Sequence, residues 1–400
     1  MAAKKIRFGI VGVGGMGSNH CNSFDKVTDG VLAAVCDYSA DRAKEVGEKF
    51  GIPHFSDYVA MYDSGLVDAV LIATPHPIRP PIVIAAMERG IHVLSEKPLS
   101  EKVSSADTML AAAETYGVSF AVMFQRRTEP VLAAAIKIAQ SGKLGKIHRV
   151  TMISPEFRSQ AYYDSGGWRA TWKGEGGGVM MNQSPHILDL FIQIGGMPKT
   201  ITARVETRMH HIEVEDIAEA MVTYEDGGSG YFYCSTNEAG PGQMIEVFGD
   251  KGKLCYRNGE LKMWKFTPGV SVHSAKTTEK WGGPKCEEVE VKIKDQPNGH
   301  WVVTQNFARH LLKGTKLIAP AADGLQSLEL ANAAWLSSDK GKPVEMPISR
   351  TAYDRFLAKK IKASTFVKYP SKPVAAKEAA PKKAAAKKAA AKKKTAKKKK

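Results

Sequence analysis

The segment that most restricts the fold is the run IRFGIVGVGGMG at residues 6–17. A short β-branched stretch, read as a buried strand, runs straight into Gly12, Gly14 and Gly17, and residues 16–24 can continue as a helix. Strand, glycine turn and helix in that order form the dinucleotide fingerprint Gly12-Val13-Gly14-Gly15-Met16-Gly17. The first glycine makes the turn, the second admits a pyrophosphate, and the third lets helix and strand pack. A second strand-like run at 31–36 ends on Asp37. A carboxylate there accepts hydrogen bonds from the ribose 2′-hydroxyl of NAD and repels the 2′-phosphate of NADP.

Strands and helices continue to alternate. Residues 69–73, 92–94 and 118–123 read as strands, and 41–50, 57–63, 80–88 and 103–116 as helices. This spacing implies an α/β Rossmann domain with a doubly wound parallel sheet. Ligands bind beyond the carboxyl ends of such strands. Thr74, Pro75, Glu96, Lys97 and Gln125 all stand at those ends and converge on one crevice. Pro98 holds Lys97 extended, which fixes where it points.

A second stretch, EGGGVMMNQSPHILDL at 175–190, carries Asn182, His186 and Asp189 on one helical face. Ile187, Leu190, Phe191 and Ile194 form a separate apolar face for the core. The glycines read as a bare backbone platform for a flat group, and the stretch equally reads as a solvated polar face after a flexible turn. Pro185 either opens the helix after a Ser184 cap or bends a longer one. Upstream, residues 154–178 are irregular but carry Tyr162, Tyr163, Trp168, Arg169 and Trp172. These side chains suit stacking on a sugar ring, and equally suit ordinary packing.

Later runs at 200–209, 217–224, 230–235, 244–248, 253–256, 261–266 and 287–293 alternate as strands. No crossover helices separate them, so the second domain is α+β with a large, mostly antiparallel open sheet. Helices follow at 301–312 and 325–338, the latter capped by Asp323. The expected organisation is an NAD-binding domain at 1–125, a substrate and oligomerisation domain at 126–349, an extension at 350–370 and a tail at 371–400.

Charge bears on the class. The net +16 includes thirteen lysines and one glutamate from Ser371 onward, +12 in all, which leaves +4 for the rest. The body is therefore not a basic nucleic-acid-binding domain. The Lys/Ala-rich tail is disordered by composition, either solvated or binding polyanions non-specifically. Five cysteines without CxxC spacing read as reduced thiols in a cytoplasmic protein, not as a zinc site. No metal is expected. The N-terminus has no leader-like end, and no apolar run approaches the ~20 residues that cross a bilayer.

Together, GIVGVGGMG, Asp37, Thr74-Pro75, Glu96-Lys97-Pro98 and the triple glycine leading to Asn182 and His186 resemble the Gfo/Idh/MocA oxidoreductases. The resemblance spans roughly residues 5–349. It implies NAD as cofactor, Lys97 and His186 as catalytic residues, and dimers or tetramers formed through the open sheet. It also implies a cis bond before Pro98 and a substrate contact at Asp189. Asn182 stands where many members have aspartate, and Arg79 where many have histidine.

The reading is an NAD-dependent dehydrogenase acting on a secondary alcohol of a sugar, cyclitol or glycoside ring. His186 is the base, Lys97 polarises the oxygen or is itself the base, and Asn182 orients. Trp168, Arg169, Tyr163 and Trp172 join Asp189 as substrate contacts. A hydrolase or lyase that oxidises its sugar transiently would use the same residues. A non-catalytic NAD or sugar sensor would not need Lys97 and His186.

Overall fold

The computed structural model describes residues 4–365, so the expected tail lies outside the described residues. Six strands, β1 (Ile6–Val11), β2 (Gly30–Cys36), β3 (His54–Phe55), β4 (Ala69–Ile72), β5 (His92–Ser95) and β6 (Phe120–Val122), form one sheet. Its order is β3-β2-β1-β4-β5-β6, and every pairing is parallel. The order reverses beside β1, where Val11 pairs with Ile72 of β4. Side chains on both faces are buried, as a sheet covered on both sides requires.

A second sheet holds nine strands. They are β7 (Ile147–Pro155), β8 (Thr200–Glu206), β9 (Ile217–Thr223), β10 (Ser229–Ser235), β11 (Met244–Gly249), β12 (Gly252–Arg257), β13 (Glu260–Thr267), β14 (Lys285–Val289) and β15 (Val344–Glu345). The order is β14-β13-β12-β11-β7-β10-β9-β8-β15. Only β7 and β10 run parallel; the other pairings are antiparallel. Val150 and Met152 of β7 point to the covered face, against the Pro185–Gly195 helix, while Thr151 and Ile153 alternate with them. The Ala321–Lys340 helix packs along β8 and back onto β6, tying the sheets together.

Three expectations change. The 301–312 helix, His300–Lys313 in the structure, packs on the first sheet rather than with the second domain. Val303, Phe307 and Ala308 join the cluster around Phe8 and Ile10, because that sheet's outer face needs an apolar cover. Asp323 does not cap its helix; Pro320 holds the cap position, and the Asp323 carboxylate accepts from Arg127 at 2.7 Å. The helix after the triple glycine comes in two pieces, Val179–Asn182 and Pro185–Gly195. Ser184 stands at the cap of the second piece but makes no side-chain cap bond, and Pro185 sits in its first turn.

Candidate active site

The glycine turn at the end of β1 leads into the Gly15–Asn22 helix. A Cβ on Gly17 would lie 1.9 Å from the Gly12 carbonyl oxygen, so only glycine lets the helix sit this close. Gly15 faces open space, with nothing within 4 Å of a Cβ there, and a Cβ on Gly14 would meet only the end of the Arg42 side chain at 3.5 Å. Asp37 ends β2 as expected. Its carboxylate accepts the Val13 and Ser39 N–H groups at 3.0 Å each, which aims it at the same turn. An open helix N-terminus beside a fixed carboxylate fits a dinucleotide.

The crevice continues at the ends of β4 and β5. Lys97 precedes a cis proline, and its Nζ donates to the Asn182 backbone oxygen at 2.7 Å. Burial draws the Lys97 ammonium below its ordinary range, although Glu96, Glu156 and Glu175 oppose this. Burial alone would raise the Glu96 carboxyl, but His20 at 2.8 Å, helped by Lys97, brings it down to about 2. Arg79 is buried under this floor. Its guanidinium donates to the carbonyls of Thr74 and Glu96 at 2.6 Å each, and to that of Pro98. One side chain thus ties the Thr74-Pro75 loop to the Glu96-Lys97-Pro98 loop.

From the second half, His186 enters on the first turn of its helix. Its Nε2 lies 3.1 Å from the Gln125 amide nitrogen, and its ring packs edge-on to Phe124. Burial, reinforced by the Lys97 charge, holds the His186 imidazole well below its ordinary pKa. Both causes favour the neutral imidazole, the form a base requires. His186 Nδ1, Gln125 Oε1 and Thr74 Oγ1 are buried without partners among the described residues. The Asn182 amide does not reach toward His186. It donates to a Glu175 carboxylate oxygen.

The triple glycine is not a bare platform. A Cβ on Gly177 would meet the Trp335 ring at 2.4 Å, and one on Gly178 the Glu215 carbonyl at 1.9 Å. The flat group against this backbone is the chain's own indole.

The expected substrate contacts divide. Asp189 is buried, and both its carboxylate oxygens accept from Arg127, which also reaches Asp323 and the Ile318 carbonyl. A carboxylate so committed is a core ion pair, and this corrects the expected contact. Tyr163 is buried with its hydroxyl 2.7 Å from Thr236 Oγ1 and its ring against His210. Trp172 packs edge-on to Trp335 and Phe356. Both belong to packing. Arg169 differs: its guanidinium lies 4.7 Å from the ring of Trp168, which is partly exposed, and 4.3 Å from that of Tyr162. The Tyr162 hydroxyl also accepts from Gln183 at 2.9 Å. The Arg169 Nε and the Gln183 Oε1 are buried without hydrogen-bond partners among the described residues.

Sequence reasoning missed Glu175, Arg127 and the role of Gln183. Only Glu175 carried a signal, as an acid placed directly before three glycines.

Comparison with known proteins bears on the family. Residues 6–124 match the model of an oxidoreductase family with an NAD-binding Rossmann fold, and residues 132–255 match the GFO/IDH/MocA C-terminal domain. The myo-inositol 2-dehydrogenase of Thermotoga maritima is 23% identical over 350 residues, covering 85% of this chain and 98% of that protein. A D-apiose dehydrogenase of Paraburkholderia graminis is 23% identical over 350 residues, covering 86% and 90%. The solved WlbA dehydrogenase of Bordetella pertussis, in complex with NADH and UDP-GlcNAcA, superposes with a TM-score of 0.74 at 27% identity. That match covers 86% of this chain and all of the other. With both of its domains matched in order and a glycine turn open to a dinucleotide, the chain belongs to the Gfo/Idh/MocA oxidoreductase family.

Proposed function

We propose that this oxidoreductase interconverts a secondary alcohol and a ketone on a sugar, cyclitol or glycoside ring. The observation that carries the reading is the meeting of Lys97 and His186. One stands at a strand end of the parallel sheet and donates to the Asn182 carbonyl, the other lies on the helix that opens just after Asn182, and the Lys97 charge acts on the His186 ring. Bound NAD supplies the hydride acceptor. The glycine turn Gly12 to Gly17 would hold its pyrophosphate and Asp37 its adenosine ribose, while Thr74, Pro75, Glu96 and Gln125 border its nicotinamide end.

The chain's own work is proton transfer and positioning. The neutral His186 takes the hydroxyl proton. The substrate oxygen would displace the Gln125 amide from Nε2. Lys97, charged, holds the oxygen as negative charge develops there. Asn182 orients Lys97 through its backbone carbonyl. Trp168, partly exposed, offers a stacking face to the ring, with Arg169, Tyr162 and Gln183 packed beside it.

The test is a screen of the purified protein with NAD over sugars, inositols and glycosides. One NADH formed per ketone produced is expected. Turnover without net NADH would favour the hydrolase or lyase reading, and the absence of any turnover the sensor. The outer face of the nine-stranded sheet, which includes exposed Met221, is assigned to a homodimer or homotetramer. Light scattering on the full chain checks this. The tail is assigned at most salt-sensitive polyanion binding. No helix among the described residues is long and apolar enough to cross a membrane.

A further inference from the structure

Glu175 is nearly completely buried, yet it is a charged residue in a loop. Each carboxylate oxygen has a donor: one takes the Asn182 amide, the other the Ala170 N–H at 2.6 Å. Its backbone is held as well, since the Glu175 N–H donates to the Thr171 carbonyl at 2.9 Å and its own carbonyl faces His76 Nδ1 at 3.2 Å. This is a fixed carboxylate in a closed frame, not a solvated side chain that happens to fold inward.

What it grips matters. The Asn182 side chain is anchored by Glu175, and the Asn182 carbonyl accepts the Lys97 ammonium. The three residues form one chain of contacts from a buried carboxylate to the ammonium in the crevice. Position 182 carries an amide, so it brings no charge of its own to Lys97.

We propose that Glu175 is a positioning residue of this site: its carboxylate holds the Asn182 turn that aims Lys97, and it places near that ammonium the negative charge that residue 182 lacks. The proposal rests on the role given to Lys97 above. The charged and titratable groups facing Glu175 are Arg169 on its own loop, Tyr162 on the short helix before it, Lys97 from the parallel sheet and His76 from the Thr74-Pro75 loop. Those facing Lys97 are Glu96 beside it, Glu156 and Glu175 from the second half, Arg79 and His76 from the Thr74-Pro75 side, and His186 and His300. Burial pushes the Glu175 carboxyl upward, while the Ala170 N–H, the Asn182 amide, Arg169 and Lys97 favour its ionised form. A nearby negative charge favours the protonated amine, so losing it lowers the pKa of Lys97.

The experiment measures the pH profile of kcat for the full chain with saturating NAD. The variants are Lys97→Met, Glu175→Gln, Glu175→Asp and the double variant Glu175→Gln/Asn182→Asp. The limb that Lys97→Met abolishes should move down in Glu175→Gln, by up to about 1 pH unit, because Glu175 is one of the three carboxylates that favour the Lys97 ammonium. The double variant, with the charge moved to 182, should bring that limb back. Glu175→Asp keeps the charge but falls short of Asn182, so the limb should stay while kcat falls about 10-fold. An unshifted limb and full kcat in Glu175→Gln overturn the proposal, and so does a double variant that restores nothing. Should Glu175→Gln not fold, wild-type kcat in Glu175→Asp overturns it instead. Full kcat in Lys97→Met is a different result: it removes the role of Lys97 itself.

Discussion

The chain has two glycine clusters, and they do opposite work. At 12–17 the middle glycines meet at most the end of the Arg42 side chain, and at 176–178 the glycines lie against Glu101, Trp335 and Glu215. The first cluster keeps room for something that is not protein. The second lets protein close on itself, so that Asn182 and His186 are held on a packed frame. Glycine in a site is therefore read by its surroundings: an open turn is a ligand cradle, and a filled one is scaffolding. The crevice joins an end with open space to an end that is tightly packed.

The packed end should break hardest. Arg127→Met leaves the buried Asp189 carboxylate unpaired and should cost about 3–5 kcal/mol of stability in urea unfolding. Gly178→Ala drives a methyl into the Glu215 carbonyl at 1.9 Å, so at least roughly 3 kcal/mol is expected by the same assay. A stable Gly178→Ala protein would place this cluster with the first one.

The open end should lose ligand and keep its fold. Gly14→Val meets only the far end of the Arg42 side chain, which can move aside, so stability should change by less than about 0.5 kcal/mol. The NADH dissociation constant, read by fluorescence, should rise about 10-fold or more. Asp37→Ser should act more mildly, weakening NAD use and relaxing the preference over NADP seen in kcat/KM. Smallest of all, truncation after Tyr369 should leave kcat and thermal stability unchanged, because a lysine run has no apolar face to pack.

The same contrast explains what could be read from the sequence. The cofactor end depends on local order, a strand, a glycine turn and an acid at fixed spacing, and all of it lies within residues 6–37. Lys97 and His186 were visible because a strand end and a proline fixed one, and helical spacing beside the triple glycine fixed the other. The partners were not visible. Asp189 and Arg127 are 62 residues apart, and nothing in either neighbourhood announces the pair. Tyr163 and Trp172 share residue types with sugar-binding loops, and only the fold shows that they face Thr236 and Trp335. The helix of residues 300–313 went to the wrong layer because periodicity shows that a helix has an apolar face, not which sheet receives it.

The joint action of Lys97 and His186 is tested by a double-variant cycle on single-turnover NADH formation, with a substrate from the screen. Lys97→Met and His186→Ala should each lower the rate by about 10²–10⁴-fold while NADH affinity stays within about 2-fold. The double variant should lose far less than the product of the two losses, because the groups act on one step. Strictly multiplicative losses, or near-wild-type turnover in either single variant, would contradict a shared proton-transfer step.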